Sequence, residues 1–357
     1  MHGSVNKAAQ DDVKQDGAAG SADALAFSRY GDEVFSRVQA RFPTASTRRL
    51  AIAQPLAAQR FEALQTAVRT YISACLGSRE TLSEAQVCAG LLRAREQGKL
   101  HNYTPGGMLV PKREHTLEWN ALHRAMSAVF EDYDLDGVID GIDLPINVRL
   151  VFGDTGKGKL APFSSAKLHS DVWAGVPHDA VVCVLPVLGD IENLTIVMGE
   201  MKPELEMGSM RAMDDYEDGR GIKVDVPYRE VVLEHGTLYM ADCRLLHCTA
   251  RRKREGVRVS IDFRFRMKEP AYRAMVPEIV GPESVDTRVP YDTWLNVGKD
   301  RMFVCDETME EAAKTRHLVN SLPVYNGPYR IVPLFPGVPG GGRGAGEFKP
   351  KLVGSAE

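Results

Sequence analysis

Between residues 146 and 268 the sequence is a succession of short apolar or alternating segments, separated by turn residues and not by helices. Segment 257–266 alternates apolar and polar side chains almost without interruption, as a half-buried β-strand does. Further strands are predicted at residues 146–152, 180–187, 193–198, 228–233 and 237–240. Many short strands with glycine and proline turns favour an antiparallel sandwich or barrel, so we expect a mainly β fold.

The first third of the chain has a helical pattern instead. Ser83 stands where a helix-capping residue is expected, and residues 103–112 contain proline and glycine and are predicted to form a loop. Apolar residues recur at helical spacing in the segments 23–42, 57–76, 83–97 and 116–132. We therefore expect helices to flank the β core as an N-terminal layer.

The pattern predicts one domain over residues 21–335. Residues 1–20 and the glycine-rich tail at 336–357 are predicted to be disordered. Within the domain we expect a helical layer at about 23–132, a β core at about 146–268 and a C-terminal segment at 269–335.

The composition argues against several classes of partner. A formal net charge of -4 provides no basic surface for nucleic acid, and no run approaches the roughly 18 apolar residues of a membrane span. The first residues lack the apolar core of a secretory signal, and the 6 cysteines show no paired spacing, which indicates a reducing compartment. We expect a cytoplasmic protein that binds a small molecule, and neither nucleic acid nor a membrane, with the oligomeric state left open.

His169 and Asp171 form a candidate metal-binding pair. On an extended segment, side chains two residues apart point to the same side, so both can reach one ion. His247 follows 76 positions after Asp171 (247 − 171), at the end of an apolar strand. Two histidines and one carboxylate compose the facial triad of non-haem Fe(II) oxygenases.

Arg258 and Ser260 form a candidate carboxylate-binding pair. Arg258 comes 11 positions after His247 (258 − 247), and both residues lie on the same face of the alternating strand. A guanidinium provides a two-pronged donor for a carboxylate, and a hydroxyl can add one more hydrogen bond.

His169-x-Asp171, His247 and Arg258-x-Ser260, in this order, resemble the Fe(II)/2-oxoglutarate-dependent dioxygenases. The resemblance covers about residues 146–268 and implies a double-stranded β-helix, which is a jelly-roll, cupin-like barrel. It implies Fe(II) at the triad, 2-oxoglutarate on Arg258 and Ser260, and O2 as the second co-substrate. The implied reaction oxidises an unactivated C–H bond of a small metabolite, by hydroxylation or related tailoring in natural-product biosynthesis, and releases succinate and CO2.

The branch that the sequence resembles is the phytanoyl-CoA hydroxylase-like enzymes. Their second histidine is often followed by x-Ser or x-Thr, as in His247-Cys248-Thr249 here. The acid at position 171 argues against the halogenase variant, in which a small residue replaces it.

Trp173, Arg149 and Arg264 are the candidate substrate-pocket residues. For Trp173 core packing is an equal alternative, and for Arg264 and Arg266 we favour pairing with Asp262 and nearby acids. Further candidates for contacts with 2-oxoglutarate or the substrate are Thr237, Tyr239, Asn147 and Arg149.

Two other readings of the triad stay open. In the first, a 2-oxoglutarate-independent non-haem iron oxidase or cyclase uses the same triad, and Arg258-x-Ser260 binds a substrate carboxylate. In the second, the chain is a non-catalytic jelly-roll binding protein with a structural metal site.

The acidic segment that starts at Asp132 has most of a calcium-loop pattern. Its twelfth position is Asp143 and not the usual glutamate, and a strand is predicted where the second helix belongs, so we interpret it as an acidic turn. Separately, the polar insertion at 199–225 is predicted to be a surface excursion, with a mobile lid as the alternative.

Overall fold

The structure, a computed structural model, describes residues 36–42, 44–48, 51–100, 103–104, 107–133, 135–153, 164–177, 180–199, 213, 216–219, 228–268, 288–305 and 329–334. The predicted disorder of residues 1–20 and 336–357 falls outside these ranges, as does much of the predicted helix 23–42, whose residues 36–41 are helical. The predicted limits of the domain stay a prediction for the same reason.

The flanking helices are α1 (Ala58–Cys75), α2 (Glu84–Glu96), α3 (Thr116–Glu131) and two short ones, α4 (Tyr216–Gly219) and α5 (Tyr291–Asn296). The first three confirm three predicted helices. Ser83 caps α2 in a reciprocal arrangement, because its hydroxyl accepts from the Gln86 N–H and the Gln86 side chain accepts from the Ser83 N–H.

The strands, in chain order, are β1 (Ser46–Arg48), β2 (Ala51–Pro55), β3 (Met108–Leu109), β4 (Ile139–Asp143), β5 (Asn147–Phe152), β6 (Ala180–Gly189), β7 (Leu194–Gly199), β8 (Tyr228–Val231), β9 (Thr237–Asp242), β10 (His247–Arg251), β11 (Val257–Met267), β12 (Arg288–Pro290), β13 (Arg301–Cys305) and β14 (Tyr329–Pro333). Each of the six predicted strands is present. The prediction missed seven strands besides β3, namely β1, β2, β4, β10, β12, β13 and β14. It was also wrong to make residues 103–112 entirely loop, since β3 lies there and pairs with β5.

Two antiparallel sheets form the barrel. The larger has the order β1-β2-β9-β6-β11-β4-β12, with β5 beside β11, and the smaller has the order β10-β7-β8. From β6 to β11 the chain passes from the larger sheet to the smaller for β7 and β8, returns for β9, leaves for β10 and returns for β11. This alternation is the double-stranded β-helix, so the predicted fold class is confirmed.

The two faces of the larger sheet have different environments. On β11, Val259 and Ile261 are buried in the apolar cluster that includes Leu64 of α1 and Leu122 of α3. Arg258 alternates with these apolar residues along the strand, so its side chain lies on the opposite face of the sheet, toward the interior of the barrel. The helices therefore cover the outer face, and the inner face is free to carry polar groups.

A second apolar cluster lies between the sheets. It joins Ile196 of β7 and Val231 of β8 to Tyr239 and Ala241 of β9. The two sheets thus hold each other through apolar contacts on one side of the barrel interior.

Residues 288–305 pack against the edge strand β4 and the helix α3. β12 pairs with β4, and α5 packs on α3, where His123 Nε2 lies 2.9 Å from the Trp294 carbonyl oxygen. Phe303 of β13 packs on Trp119 with ring centroids 4.3 Å apart. The C-terminal segment therefore shares the apolar cluster of the helical layer.

Among the described residues, the search for a helix long and apolar enough to cross a membrane found none.

Candidate metal centre

The backbones of His169 and His247 pair with each other across the rim of the barrel. The His169 N–H donates to the His247 carbonyl at 3.0 Å, and the His247 N–H donates to the His169 carbonyl at 2.7 Å. His247 is the first residue of β10, and the two imidazole centroids are 4.3 Å apart. The fold itself therefore makes the two rings neighbours.

Asp171 reaches the histidines by a turn. The prediction of one extended segment through Asp171 was wrong, because the extended backbone ends at Ser170 and Asp171 begins a 3-10 turn, Asp171–Ala174. The Asp171 N–H donates to the Cys243 carbonyl at 3.1 Å, which fixes the start of this turn. A tightly turned backbone, and not the alternation of a strand, directs the carboxylate toward the rings.

The three side chains converge on one point. Asp171 Oδ1 lies 3.8 Å from His169 Nε2 and 3.8 Å from His247 Nε2. One potential ligand atom from each residue lies within 4.8 Å of the other two, and this is the one such group found in the part of the chain that the structure describes. The spacing allows a single ion to contact all three.

Hydrogen bonds to the backbone select the tautomer of both histidines. His169 Nδ1 lies 2.7 Å from the Lys167 carbonyl oxygen, and His247 Nδ1 lies 2.9 Å from the Leu245 carbonyl oxygen. A carbonyl only accepts, so each Nδ1 must carry the proton and donate it. Each Nε2 therefore has its lone pair available for an ion that Asp171 Oδ1 can also contact, which is the arrangement that metal-binding histidines need.

The charges of the centre also suit a divalent cation. Burial, with His247 as the next cause, lowers the pKa of His169 to about 3, so this imidazole is neutral near pH 7. Burial opposes ionisation of Asp171, but Arg264 first and then the two histidines outweigh it, and the pKa of Asp171 is lowered. A neutral imidazole and a carboxylate are donors that Fe(II) accepts.

Arg264 holds the other oxygen of the carboxylate. Its Nη2 lies 3.9 Å from Asp171 Oδ2, and its Nη1 lies 3.5 Å from Asp143 Oδ2. Arg266, two residues on, donates from Nε to Asp140 Oδ1 at 2.6 Å. Both arginines pair with acids as we favoured, although not with Asp262.

Arg258 lies in the same cavity as the triad. It is 1% exposed, and its Nη1 donates to the Leu194 carbonyl at 2.6 Å, while its Nε has no hydrogen-bond partner among the described residues. Burial lowers its pKa to about 10, which still leaves it charged near pH 7. A buried cation with a free donor is stabilised by an anion that enters the cavity.

Ser260 and Arg149 are both engaged with Asp262. The Ser260 hydroxyl donates to Asp262 Oδ1 at 3.0 Å, and Arg149 Nε pairs with Asp262 Oδ2. Arg149 and Asp262 line the cavity, whereas Ser260 is not among its lining residues. The hydroxyl of Ser260 therefore hydrogen-bonds its neighbour, and its role toward 2-oxoglutarate stays a prediction.

The cavity that holds these groups has a volume of about 80 Å³. Besides the triad and Arg258, its walls include Ser165, Asn147 and Thr249. Thr249 was missed as a wall residue, although its position two residues after His247 on β10 could have indicated it.

Three of the other candidates lie elsewhere. Trp173 is 2% exposed and does not line the cavity, so of its two predicted roles the structure has core packing. The Tyr239 hydroxyl donates to the Val232 carbonyl and accepts from the Glu234 N–H, both at 2.9 Å. Thr237 is buried outside the cavity.

Tyr216, from the polar insertion, covers one histidine of the centre. Its ring stacks on His169 with centroids 4.1 Å apart and an interplanar angle of 13°. Tyr216 is buried, so the surface-excursion prediction for 199–225 is wrong at this residue, while most of the insertion lies outside the described residues. No periodicity in the insertion could have indicated this contact.

The acidic segment at Asp132 has no feature of a cation site in its described residues. Asp132 pairs with Arg60 at 2.7 Å, Asp143 pairs with Arg264, and β4 begins at Ile139. These contacts agree with the interpretation as an acidic turn that leads into a strand.

No protein-family model and no curated protein matches the sequence. Solved structures with some likeness include the non-haem α-ketoglutarate-dependent epimerase SnoN from nogalamycin biosynthesis (14% identity, TM-score 0.30, 66% of this chain and 83% of that chain). They also include the carbocyclase SnoK from the same biosynthesis (14% identity, TM-score 0.32, 71% and 87%) and AviO1 from Streptomyces viridochromogenes Tue57 (14% identity, TM-score 0.31, 71% and 98%). The phytanoyl-CoA hydroxylase-like branch stays a prediction.

These likenesses are weak, and the chemistry of the site is what indicates function. His169, Asp171 and His247, with both Nδ1 atoms held by backbone carbonyls, fit a two-histidine, one-carboxylate facial triad inside a double-stranded β-helix.

Proposed function

We propose that the chain is a non-haem Fe(II)/2-oxoglutarate-dependent oxygenase that oxidises an unactivated C–H bond of a small metabolite. The observation that carries this proposal is a single cavity with a cation-binding triad and, in the same wall, the buried Arg258 with an unused Nε donor. A metal-chelating keto acid with a second, distal carboxylate matches both halves of such a cavity.

Each residue has a task that its contacts support. Nε2 of His169, Nε2 of His247 and Oδ1 of Asp171 would hold the iron, and Arg264 orients Asp171 from its other oxygen. Iron bound here would supply the activation of O2, coupled to conversion of 2-oxoglutarate to succinate and CO2 and to oxidation of the substrate.

Charge pairing within the cavity favours one anion at Arg258. Arg149 and Asp262 form an ion pair, and Arg264 lies between Asp143 and Asp171. Arg258 is the cavity-lining cation without an ion-pair partner in the described residues, so the distal carboxylate of 2-oxoglutarate belongs there.

Burial protects the centre from bulk water. His169 and Asp171 are 4% and 7% exposed, and the Tyr216 ring, which also lines the cavity, stacks on the His169 imidazole. The substrate would therefore approach from the side of Asn147 and Arg149, which line the cavity and lie on β5. This enclosed space suits a small metabolite as the substrate, and we propose that the reaction tailors a natural product.

The decisive experiment is an anaerobic titration of the protein with Fe(II) and then 2-oxoglutarate. Chelation of the keto acid by Fe(II) is expected to give a metal-to-ligand charge-transfer band in the visible spectrum. In Arg258→Met the 2-oxoglutarate affinity should fall by about 10–100-fold, because one charged hydrogen-bond partner is worth about 1.5–3 kcal/mol. Arg252→Met, which removes an exposed arginine outside the cavity, is the matched control.

Two results would contradict the proposal. One is the absence of the band in the wild type despite bound Fe(II). The other is an unchanged 2-oxoglutarate affinity in Arg258→Met, with Fe(II) binding retained as proof of folding. Succinate formed per substrate oxidised then separates this enzyme from an iron oxidase that does not use 2-oxoglutarate, and O2 uptake separates it from a binding protein.

A further inference from the structure

A second cavity, of about 30 Å³, lies inside the barrel beside the metal centre. Its walls come from strands β6 to β10, and include Val231, Tyr239 and Ala241. Four residues line both this cavity and the larger one: Val182, Val184, Ile196 and His247. The small cavity therefore adjoins the candidate iron site, with His247 between them.

The polar side chains in the walls are Tyr239, Asp242 and His247, and each of them already makes a hydrogen bond within the protein. The Asp242 carboxylate accepts from the Arg244 N–H at 2.9 Å and from Arg244 Nε at 2.7 Å. The Tyr239 hydroxyl and His247 Nδ1 are also hydrogen-bonded to the backbone. A buried water needs two to four polar partners, so a cavity with such walls stays dry and takes small apolar molecules.

The volume of the cavity and the charge of its walls limit which molecules can bind there. A water molecule needs about 10–15 Å³ of cavity volume, so a cavity of about 30 Å³ fits two or three atoms and no organic substrate. No lysine or arginine lines it in the described part of the chain, and Asp242 is its one carboxylate. Nothing in these walls attracts the 2-oxoglutarate dianion.

We propose that this apolar cavity binds O2 and supplies it to the metal centre from the side of His247. The inference rests on the proposed function, since O2 is a co-substrate only if the centre is an oxygenase. A diatomic apolar gas matches the volume, the dry walls and the shared residues.

Filling the cavity tests the proposal. Ala241→Val adds two methyl groups at the wall, and Ala53→Val is the matched control, because Ala53 belongs to the same apolar cluster and pairs with Tyr239 but does not line the cavity. The readout is the O2 dependence of 2-oxoglutarate turnover by the Fe(II)-loaded full chain. We expect KM for O2 to rise roughly threefold or more in Ala241→Val, with kcat at saturating O2 nearly unchanged.

Xenon provides a second readout without catalysis. Wild type and Ala53→Val should bind xenon, seen by ¹²⁹Xe NMR of the full chain, and Ala241→Val should not, because apolar cavities of proteins take up xenon. An unchanged KM for O2 in a folded Ala241→Val that no longer binds xenon would overturn the proposal. So would an equal rise of KM in both variants, or no xenon uptake by the wild type.

The two proposals fail separately. Loss of the Fe(II)–2-oxoglutarate charge-transfer band in the wild type contradicts the oxygenase itself. A normal band in all three proteins, together with an unaltered O2 dependence, contradicts only the cavity.

Discussion

At the residue scale, each histidine of the centre uses one nitrogen for the fold and leaves the other for the ion. The backbone carbonyls of Lys167 and Leu245 each accept a hydrogen bond from the Nδ1–H of the histidine two residues later. Because of this shared local geometry, both Nε2 atoms are oriented to bind an ion before the ion is present. Such outer contacts raise affinity because the ring does not need to reorient on binding.

Removal of one ring therefore has a defined effect. His247→Gln should lower the affinity for Co(II), used as a spectroscopic substitute for Fe(II), by at least about 100-fold, because loss of a ligand exceeds the 10–100-fold loss of an outer partner. His235→Gln, at an exposed position, should bind Co(II) as the wild type does. The Co(II) absorption bands report both. Equal affinity of the two variants would exclude His247 as a ligand.

At the element scale, strand periodicity explains what the sequence could predict. The alternation on β11 is long enough to identify the strand, its helix-facing side and the position of Arg258 on the other side. β10, with the sequence HCTAR, is too short and too polar to be recognised, and β4 contains aspartate and glycine, which are rare in strands. Both form because partner strands fix them, and a pattern within the strand cannot show this.

The helical layer supplies a prediction at the same scale. His123 of α3 is fully buried against α5, and burial lowers its pKa from 6.5 to about 4. The unfolded chain therefore takes up this proton near pH 6.5 and the folded protein only near pH 4, so the stabilisation is complete above pH 6.5 and is lost as the pH falls. Between pH 7.5 and 4.5 this histidine should account for about 2–3 kcal/mol of lost unfolding free energy.

Urea unfolding at the two pH values measures this loss. His123→Gln keeps a donor for the Trp294 carbonyl but does not titrate, so its pH dependence should be smaller by that amount. The contribution of His169 is present in both proteins and cancels. Parallel pH profiles for the variant and the wild type would contradict the assignment to His123.

At the scale of the whole molecule, the two faces of the larger sheet have different roles: one packs in the apolar core and the other lines the cavity of the metal centre. Its outer face packs on three helices, and its inner face carries the charged side chains of the cavity. The order of the motif along the chain indicated that His169, Asp171, His247 and Arg258 belong to one site, and all four line one cavity. It could not predict Tyr216 or the 3-10 turn at Asp171, since both depend on contacts between distant segments.

Metal binding should stabilise the folded protein, because the three ligands of the triad are brought together only in the folded chain. At a Co(II) concentration of about one hundred times Kd the stabilisation is about 2.7 kcal/mol, or a rise in Tm of about 4 °C for a chain of this size. Calcium should give no shift, since a calcium ion prefers oxygen ligands and the acidic segment at Asp132 is a paired turn. A calcium-dependent rise in Tm, or none with Co(II), would reverse the assignment of the two sites.

The paired backbones of His169 and His247 have a consequence for the metal-free protein. The residues are 78 positions apart (247 − 169), and closing a loop of that length has an entropic cost. Because the backbone hydrogen bonds already close this loop in the folded chain, metal binding does not have to supply the free energy for it. Small zinc domains, by contrast, fold only as they bind their ion. The apoprotein should therefore stay folded while its ion is removed and replaced.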